Sequence, residues 1–211
     1  MKLLCFPYAG GASKIYNRMF GKYLHDTIQI VPIILPGREN RFRESPKQDF
    51  KELMEDLLQQ VYEAICDGTE YALFGYSMGS ILIYEMYYRI EEMNWKIPEI
   101  LFFCASNPPH ISYEDKKTDR LSILQEMKKL GGTEAEVLES QALMDIFVPI
   151  MQADMKVLKS YRFNQHREKI KIPVVIQYGC QDLEIIDNIK QWESYTENQC
   201  DFIKYEESHF F

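Results

Sequence analysis

The motif Gly-x-Ser-x-Gly at Gly75–Gly79 constrains this chain more than any other segment of its 211 residues. The apolar run Tyr71–Phe74 precedes the motif, and apolar positions at helical spacing follow it from Ile81 to Ile90. A strand, this motif and a helix, in that order, form a nucleophile elbow, in which the serine lies on a strained turn with its hydroxyl exposed. The segment therefore predicts Ser77 as a nucleophile. The alternative is a small-residue turn with an ordinary surface serine.

Short apolar runs alternate with helical patterns over much of the chain. In one pattern, Phe50–Cys66, the apolar residues Leu53, Leu57, Val61 and Ile65 recur every fourth position. Such alternation predicts an α/β fold with a mostly parallel central sheet and helices on both faces. The predicted strands are Lys2–Phe6, Ile28–Ile34, Tyr71–Gly75, Ile100–Ser106, Val174–Gly179 and Asp201–Tyr205, and the predicted helices between them are Ser13–Leu24, Phe50–Cys66, Ser77–Glu92 and Ile186–Tyr195.

A helical segment from about residue 108 to 163 interrupts this alternation. Leu121–Leu130 ends at two glycines, which are a typical helix stop, and Glu134–Glu139 and Ser140–Tyr161 continue the helical pattern. The segment is longer than a crossover between two strands requires. It predicts a helical lid over the active site, and the alternative is a helical excursion that completes the core. We expect one domain over residues 1–211 that contains this insertion.

Charge, hydropathy and cysteine content exclude several classes of protein. The net charge of −8 argues against a nucleic-acid partner. The sequence contains no run of eighteen apolar residues, the length that a membrane-spanning helix needs. Met1–Pro7 is interpreted as a first strand rather than a signal peptide. The five cysteines are odd in number and contain no Cys-x-x-Cys, which argues against disulfides or a zinc site. We expect a cytoplasmic monomer without a metal.

A serine nucleophile needs a base to take its proton, and the base needs a carboxylate to orient it. In enzymes with this elbow the acid and then the histidine follow the serine in sequence. Among the four histidines, His25 precedes Ser77, and His110 and His166 flank the predicted lid. His209 comes directly after the last predicted strand, so it is the candidate base.

Asp182 is the candidate acid, because it follows the strand Val174–Gly179 and Gly179 allows a sharp exit from that strand. Its alternative is a turn-forming aspartate, and Glu184 and Asp187 are close rivals. Asn107 ends the preceding strand, but an amide cannot stabilise an imidazolium.

The oxyanion of the reaction needs two backbone donors. The amide of Met78, at the start of the elbow helix, is the first candidate. The loop Pro7–Gly11 follows the first strand and should supply the second, with Ala9 the preferred donor and Tyr8 the alternative.

These residues resemble the type II (external, editing) thioesterases of nonribosomal peptide and polyketide synthesis, which have the α/β-hydrolase fold. The likeness follows the family's order over nearly the whole chain. It is carried by the segments Cys5–Gly11, Leu35–Glu39, Phe74–Gly79, Ser106–His110, Leu130–Thr133, Gly179–Asp182 and His209–Phe211.

The resemblance implies hydrolysis of acyl groups from the phosphopantetheine arm of acyl or peptidyl carrier proteins. Phosphopantetheine would then belong to the substrate, and no cofactor is implied. The resemblance gives Ser77, Asp182 and His209 the roles of nucleophile, acid and base, and gives Met78 and Ala9 the roles of oxyanion donors. Two other classes remain open: a carboxylester hydrolase with the same triad, and a non-catalytic module that binds carrier proteins.

Further expectations concern binding and the end of the chain. Tyr8 and Tyr76 are candidate substrate contacts, Tyr76 standing where a histidine is more usual in the family. Arg38, with Arg41 and Arg43, predicts a basic cluster that meets an acidic carrier or its phosphate. The alternative is a solvated loop whose positive charge is compensated by Glu39 and Glu44. The chain stops two residues after His209, where family members continue into a final helix. The fold is therefore expected to lack that C-terminal helix, with His209 on a fraying terminus.

Overall fold

The computed structural model describes residues 1–133 and 135–211. Its six strands form one sheet in the order β2-β1-β3-β4-β5-β6, and each of the five pairings is parallel. The predicted parallel sheet is confirmed, and β1 and β5 have the predicted bounds. The strands are β1 (Lys2–Phe6), β2 (Gln29–Pro32), β3 (Tyr71–Tyr76), β4 (Leu101–Cys104), β5 (Val174–Gly179) and β6 (Cys200–Tyr205).

The helices agree with the predicted pattern, with two differences. The helices are α1 (Ile15–Phe20), α2 (Phe50–Ile65), α3 (Met78–Glu92), α4 (Arg120–Leu130), α5 (Ala135–Glu139) and α6 (Gln141–Ser160), and short 3-10 segments lie at Glu39–Arg41 and Ile189–Tyr195. The predicted helix Ser13–Leu24 is shorter because Gly21 stands at its end. The helix predicted at Ile186–Tyr195 is the second 3-10 segment. Glu134 lies outside the described residues.

Two apolar layers enclose the sheet. Helices α2, α3 and α6 pack on one face, where α2 buries a stripe that includes Leu53, Leu57 and Val61. Fully burying such a side chain contributes about 1.5–3 kcal/mol. Helix α1 lies on the opposite face, where its buried Tyr16 packs against Phe74 of β3. The prediction of helices on both faces is confirmed.

Parallel pairing brings the carboxyl ends of all six strands to one edge of the sheet. The elbow after β3, the loop after β1, and the segments after β5 and β6 therefore meet there, which is where ligands bind in sheets of this kind. Helices α4, α5 and α6, inserted between β4 and β5, lie over this edge. Among the described residues, no helix combines the length and apolar character needed to cross a membrane.

Candidate active site

Ser77 lies on the turn between β3 and α3 in a conformation that L-residues rarely adopt, with φ 51° and ψ −113°. Its N–H donates a 2.7 Å hydrogen bond to the Cys104 carbonyl, which fixes the turn against β4. The flanking glycines are required by close packing. A Cβ at Gly75 would lie 2.3 Å from the Gly79 carbonyl oxygen, and a Cβ at Gly79 would lie 2.3 Å from the Phe6 oxygen. Such a backbone conformation costs about 1–3 kcal/mol and is typical of functional sites.

His209 and Asp182 form a buried pair. His209 Nδ1 lies 2.6 Å from Asp182 Oδ2, and Asp182 Oδ1 accepts the Glu184 N–H at 3.1 Å. Both side chains are less than a tenth exposed. The segments that carry them approach closely at Gly179, where a Cβ would lie 1.9 Å from the Ser208 carbonyl oxygen. The structure thus brings together the two residues that the sequence proposed as acid and base.

The two rival carboxylates have other positions. Asp187 is exposed. Glu184 forms ion pairs with Lys116, at 3.0 Å, and with Lys129. Burial raises the pKa of Glu184, but the two ammonium groups lower that pKa by more, so the net shift is downward. Neither rival is hydrogen-bonded to His209, whose Nδ1 pairs with Asp182.

Ser77 and His209 line the same cavity, which measures about 450 Å³. Among the described residues, the Ser77 hydroxyl donates no hydrogen bond to His209, and catalytic contacts of this kind are often long before substrate binds. The cavity walls are mainly apolar and come largely from the inserted helices, with Met127, Leu130, Phe147, Met151, Met155 and Leu158 prominent. Flexible methionines adapt to ligands of varied shape. The site can therefore hold an apolar acyl group beside the serine.

Charged side chains also form part of the lining of this cavity. Arg18, Lys116, Glu126 and Glu184 line it, and Lys116 bonds both carboxylates, at 2.8 Å and 3.0 Å. These contacts join the segment after Asp182 to helix α4. In the part of the chain that the structure describes, no cluster of three or more His, Cys, Asp or Glu side chains could hold a metal ion.

The loop after β1 presents a β-turn to the cavity. Gly11 N–H donates to the Tyr8 carbonyl at 2.9 Å, and Gly10 has φ +75°, the conformation for which a turn uses glycine. Ala9, second in this turn, lines the cavity, as does Tyr8. Neither the Ala9 amide nor the Met78 amide donates a hydrogen bond to another described residue. Both amides therefore remain available to an oxyanion.

Tyr76 holds the segment that contains His209. Its hydroxyl donates to the His209 carbonyl at 2.7 Å and accepts the Phe211 N–H at 3.2 Å. Its ring stacks on Phe210 with a centroid distance of 5.7 Å and an interplanar angle of 7°. Burial raises the pKa of the Tyr76 phenol, which keeps it a neutral donor.

These contacts correct two expectations. Tyr76 is buried and does not line the cavity, so its position does not fit a substrate contact. His209 is 6% exposed and bonded through its backbone and its ring, which differs from a fraying terminus. No local sequence pattern indicates this arrangement, because Tyr76 and His209 are 133 positions apart.

Replacing Tyr76 with phenylalanine should remove both hydroxyl contacts and keep the ring stacking. We expect a loss of about 1 kcal/mol in unfolding free energy, as for one hydrogen bond. The His209 ring should be held less firmly, so kcat should fall roughly tenfold. This loss is smaller than the ~10²-fold loss of rate expected when a catalytic group is displaced by 1 Å. Thermal unfolding and steady-state hydrolysis of a thioester measure the two effects.

Tyr71→Phe is the matched control. Tyr71 is also a buried tyrosine of β3, and its hydroxyl donates to the Lys96 carbonyl at the opposite end of the strand. This variant should lose similar stability and keep its kcat. An equal fall of kcat in both variants would show that Tyr76 acts only through stability.

The structure also corrects the expectation of an exposed basic cluster. Arg38 is buried, and its guanidinium makes two hydrogen bonds to Asp154 of α6, at 2.7 Å and 2.8 Å. Arg41 is half-buried against Asp56 and Glu44. Of the three arginines only Arg43 has an exposed side chain. The position of Arg38 therefore does not fit a contact with a carrier protein.

Asp154 is a polar residue of this region that the sequence reasoning missed. A signal was present, because Asp154 lies three positions after Met151 and four before Leu158, on the apolar stripe of α6. A carboxylate on such a stripe is buried, and a buried carboxylate needs a partner.

Comparison with known proteins gives a consistent result. A family model described as a thioesterase domain matches residues 1–211. The gramicidin S biosynthesis protein GrsT of Aneurinibacillus migulanus is 27% identical over 215 residues, which cover 100% of this chain and 82% of GrsT. The medium-chain S-acyl fatty acid synthase thioesterase of Homo sapiens is 27% identical, with 100% and 80% covered. The crystal structure of ClbQ, from the colibactin NRPS/PKS pathway, matches with a TM-score of 0.89 and 29% identity, covering 100% of this chain and 89% of ClbQ.

Proposed function

The chain belongs to the thioesterase domain family, and we propose that it hydrolyses acyl groups from the phosphopantetheine arm of carrier proteins. Ser77 is the nucleophile of this proposal, His209 the base and Asp182 the acid. The observation that carries it is the 2.6 Å contact between His209 Nδ1 and Asp182 Oδ2, beside an apolar cavity that Ser77 and His209 both line.

The first half of the reaction forms an acyl-enzyme. Ser77 Oγ attacks the thioester carbonyl while His209 Nε2 takes its proton, and Asp182 stabilises the imidazolium through Nδ1. The carbonyl oxygen becomes an oxyanion, which the Ala9 and Met78 amides bind. The first N–H groups of α3 add the positive end of the helix dipole. The intermediate collapses, the C–S bond breaks, and His209 returns the proton to the departing pantetheine thiol.

The second half releases the acid. A water molecule gives its proton to His209 and attacks the acyl-Ser77 carbonyl. The same two amides bind the new oxyanion, the ester C–O bond breaks, and Ser77 recovers its proton from His209. The free acid leaves, and the carrier's thiol is available for a new acyl group.

Two observations support a carrier-bound substrate. Relatives at 27% and 29% identity are named for gramicidin S biosynthesis and for an NRPS/PKS pathway, in which thioesters are carried on proteins. The cavity lining is mainly apolar but includes four charged side chains, a combination that suits an apolar acyl chain and a polar pantetheine arm. The role that follows is editing: removal of acyl groups that block a carrier of a peptide or polyketide synthase.

Intact-mass spectrometry with an acylated carrier protein tests this proposal. After acid quenching at short times, we expect an acyl adduct on Ser77 and loss of the acyl mass from the carrier. In parallel, kcat/KM for an acyl-pantetheine thioester should exceed that for the matched oxygen ester at least tenfold. The Ser77→Ala protein, purified identically, should show neither adduct nor turnover.

Each other outcome identifies an alternative. Equal or faster turnover of the oxygen ester would make the protein a carboxylester hydrolase. A folded protein that binds the carrier, shows no turnover and does not react with a fluorophosphonate probe would be a non-catalytic binding module.

A further inference from the structure

The buried ion pair between Arg38 and Asp154 also contacts the turn that carries Ala9. Asp154 Oδ2 accepts the Gly10 N–H at 2.7 Å, and Arg38 Nη1 donates to the Gly11 carbonyl at 3.0 Å. The pair thus holds the Ala9–Gly10 peptide group through its N–H and the Gly11–Ala12 peptide group through its carbonyl. Both charged side chains are almost fully enclosed, at 6% and 3% exposure.

Stability alone gives a weak reason for such a pair. Removing two charges from water costs several kcal/mol per ion, and well-packed apolar residues are often as stable as a buried ion pair. Arg38 Nε, moreover, is buried without a hydrogen-bond partner among the described residues. What the pair provides is geometric, because a guanidinium and a carboxylate joined by two hydrogen bonds form a planar unit with fixed directions.

The two glycines of the turn do not by themselves favour one conformation. Gly10 and Gly11 have no side chains, and glycine leaves the backbone freer than any other residue. Glu39 holds the later part of the same loop, because its carboxylate accepts the Ser13 and Lys14 N–H groups at 3.2 Å and 3.1 Å. Arg38 and Glu39 are adjacent, so one short segment holds the loop both at Gly11 and at Ser13–Lys14.

We propose that Arg38 and Asp154 are positioning residues that aim the Ala9 amide at the oxyanion. Asp154 belongs to α6, the helix whose Met151, Met155 and Leu158 form the wall of the cavity. The helix that covers the acyl site therefore also sets the oxyanion donor. This inference rests on the proposed function, because it assigns a role within the same acyl transfer.

The test is Asp154→Asn, measured by kcat, KM and the affinity for an alkyl trifluoromethyl ketone. In asparagine, an NH₂ group replaces Oδ1, the oxygen that accepts the hydrogen bond of Arg38 Nη2. Two donors then face each other, and the planar unit is lost. We expect kcat to fall about 10- to 100-fold, up to the range for loss of one oxyanion donor, with KM changed less than threefold. The ketone forms a tetrahedral adduct whose oxygen lies in the oxyanion site, so its affinity should fall by a similar factor.

Glu85→Gln is the matched control. Glu85, in α3, is a buried carboxylate paired with Arg167 at 2.6 Å, and it does not line the cavity. This variant should lose comparable thermal stability and keep kcat and ketone affinity within twofold of the unsubstituted protein. An unchanged kcat in Asp154→Asn, or an equal loss in Glu85→Gln, would overturn the positioning role.

Arg38→Lys keeps the proposal testable if Asp154→Asn does not fold. Lysine leaves Asp154 a cation but cannot bond both its oxygens and the Gly11 carbonyl together, so we expect a roughly tenfold loss of kcat and of ketone affinity. Unchanged values would overturn the proposal. If the unsubstituted protein hydrolyses no thioester in the same assay, it is the proposed function that fails.

Discussion

Ser77→Ala is expected to lower kcat for a thioester by a factor on the order of 10⁵–10⁶, the scale seen when a triad nucleophile is removed. In the proposed mechanism the Ser77 hydroxyl is the attacking group, and it lines the cavity together with His209. Alanine has the same Cβ as serine, so the backbone strain at φ 51° stays the same. The thermal midpoint should therefore change by no more than a degree or two.

Single-turnover assays and fluorophosphonate labelling measure this effect. Ser194→Ala, at an exposed serine whose hydroxyl donates to the Gln191 carbonyl, is the control and should behave as the unsubstituted protein. If Ser77→Ala kept more than about a hundredth of the native rate, the acyl-enzyme mechanism would be wrong.

The second large effect is expected from Asp182→Asn, for which kcat should fall by about 10⁴. The geometry explains why an amide fails here. Its oxygen would keep the Glu184 N–H, and its NH₂ group would then face His209 Nδ1 as a donor. Nδ1 must accept that hydrogen bond, so the proton of the neutral ring moves to Nε2, and the ring can no longer take the proton of Ser77.

Asp187→Asn is the matched control five residues later. Asp187 is exposed, and the same substitution should leave kcat within twofold. Steady-state kinetics of both variants, with thermal unfolding to verify the fold, make the comparison. Loss of activity in Asp187→Asn and not in Asp182→Asn would reverse the assignment of the acid.

The sheet and its active edge could be predicted from the sequence, because they depend on local patterns. Apolar runs gave β1 and β5 their bounds, and the parallel pairing placed the ends of β3, β5 and β6 together. The pairing of Asp182 with His209 followed from chain order together with their positions shortly after β5 and β6. These inferences required only two pieces of information: which residues follow the end of a strand, and that the ends of parallel strands lie at one edge of the sheet.

The contacts that hold the site were not predictable in this way. Tyr76 reaches residues 133 and 135 positions away, and Arg38 meets Asp154 across 116 positions. Which distant side chains meet depends on how helices and loops pack, and a local pattern does not encode it. The sequence pattern accordingly predicts Arg38 in a basic loop, whereas packing against α6 encloses it.

The backbone at Ser77 has a consequence for any attempt to make this protein more heat-resistant. Glycine accepts a positive φ without strain, so replacing Ser77 with glycine should raise stability. The same replacement removes the hydroxyl that the proposed mechanism needs. Screening variants for survival at high temperature alone would favour discarding the serine. A useful screen would have to demand turnover at every round, because durability and reactivity are opposed at this one residue.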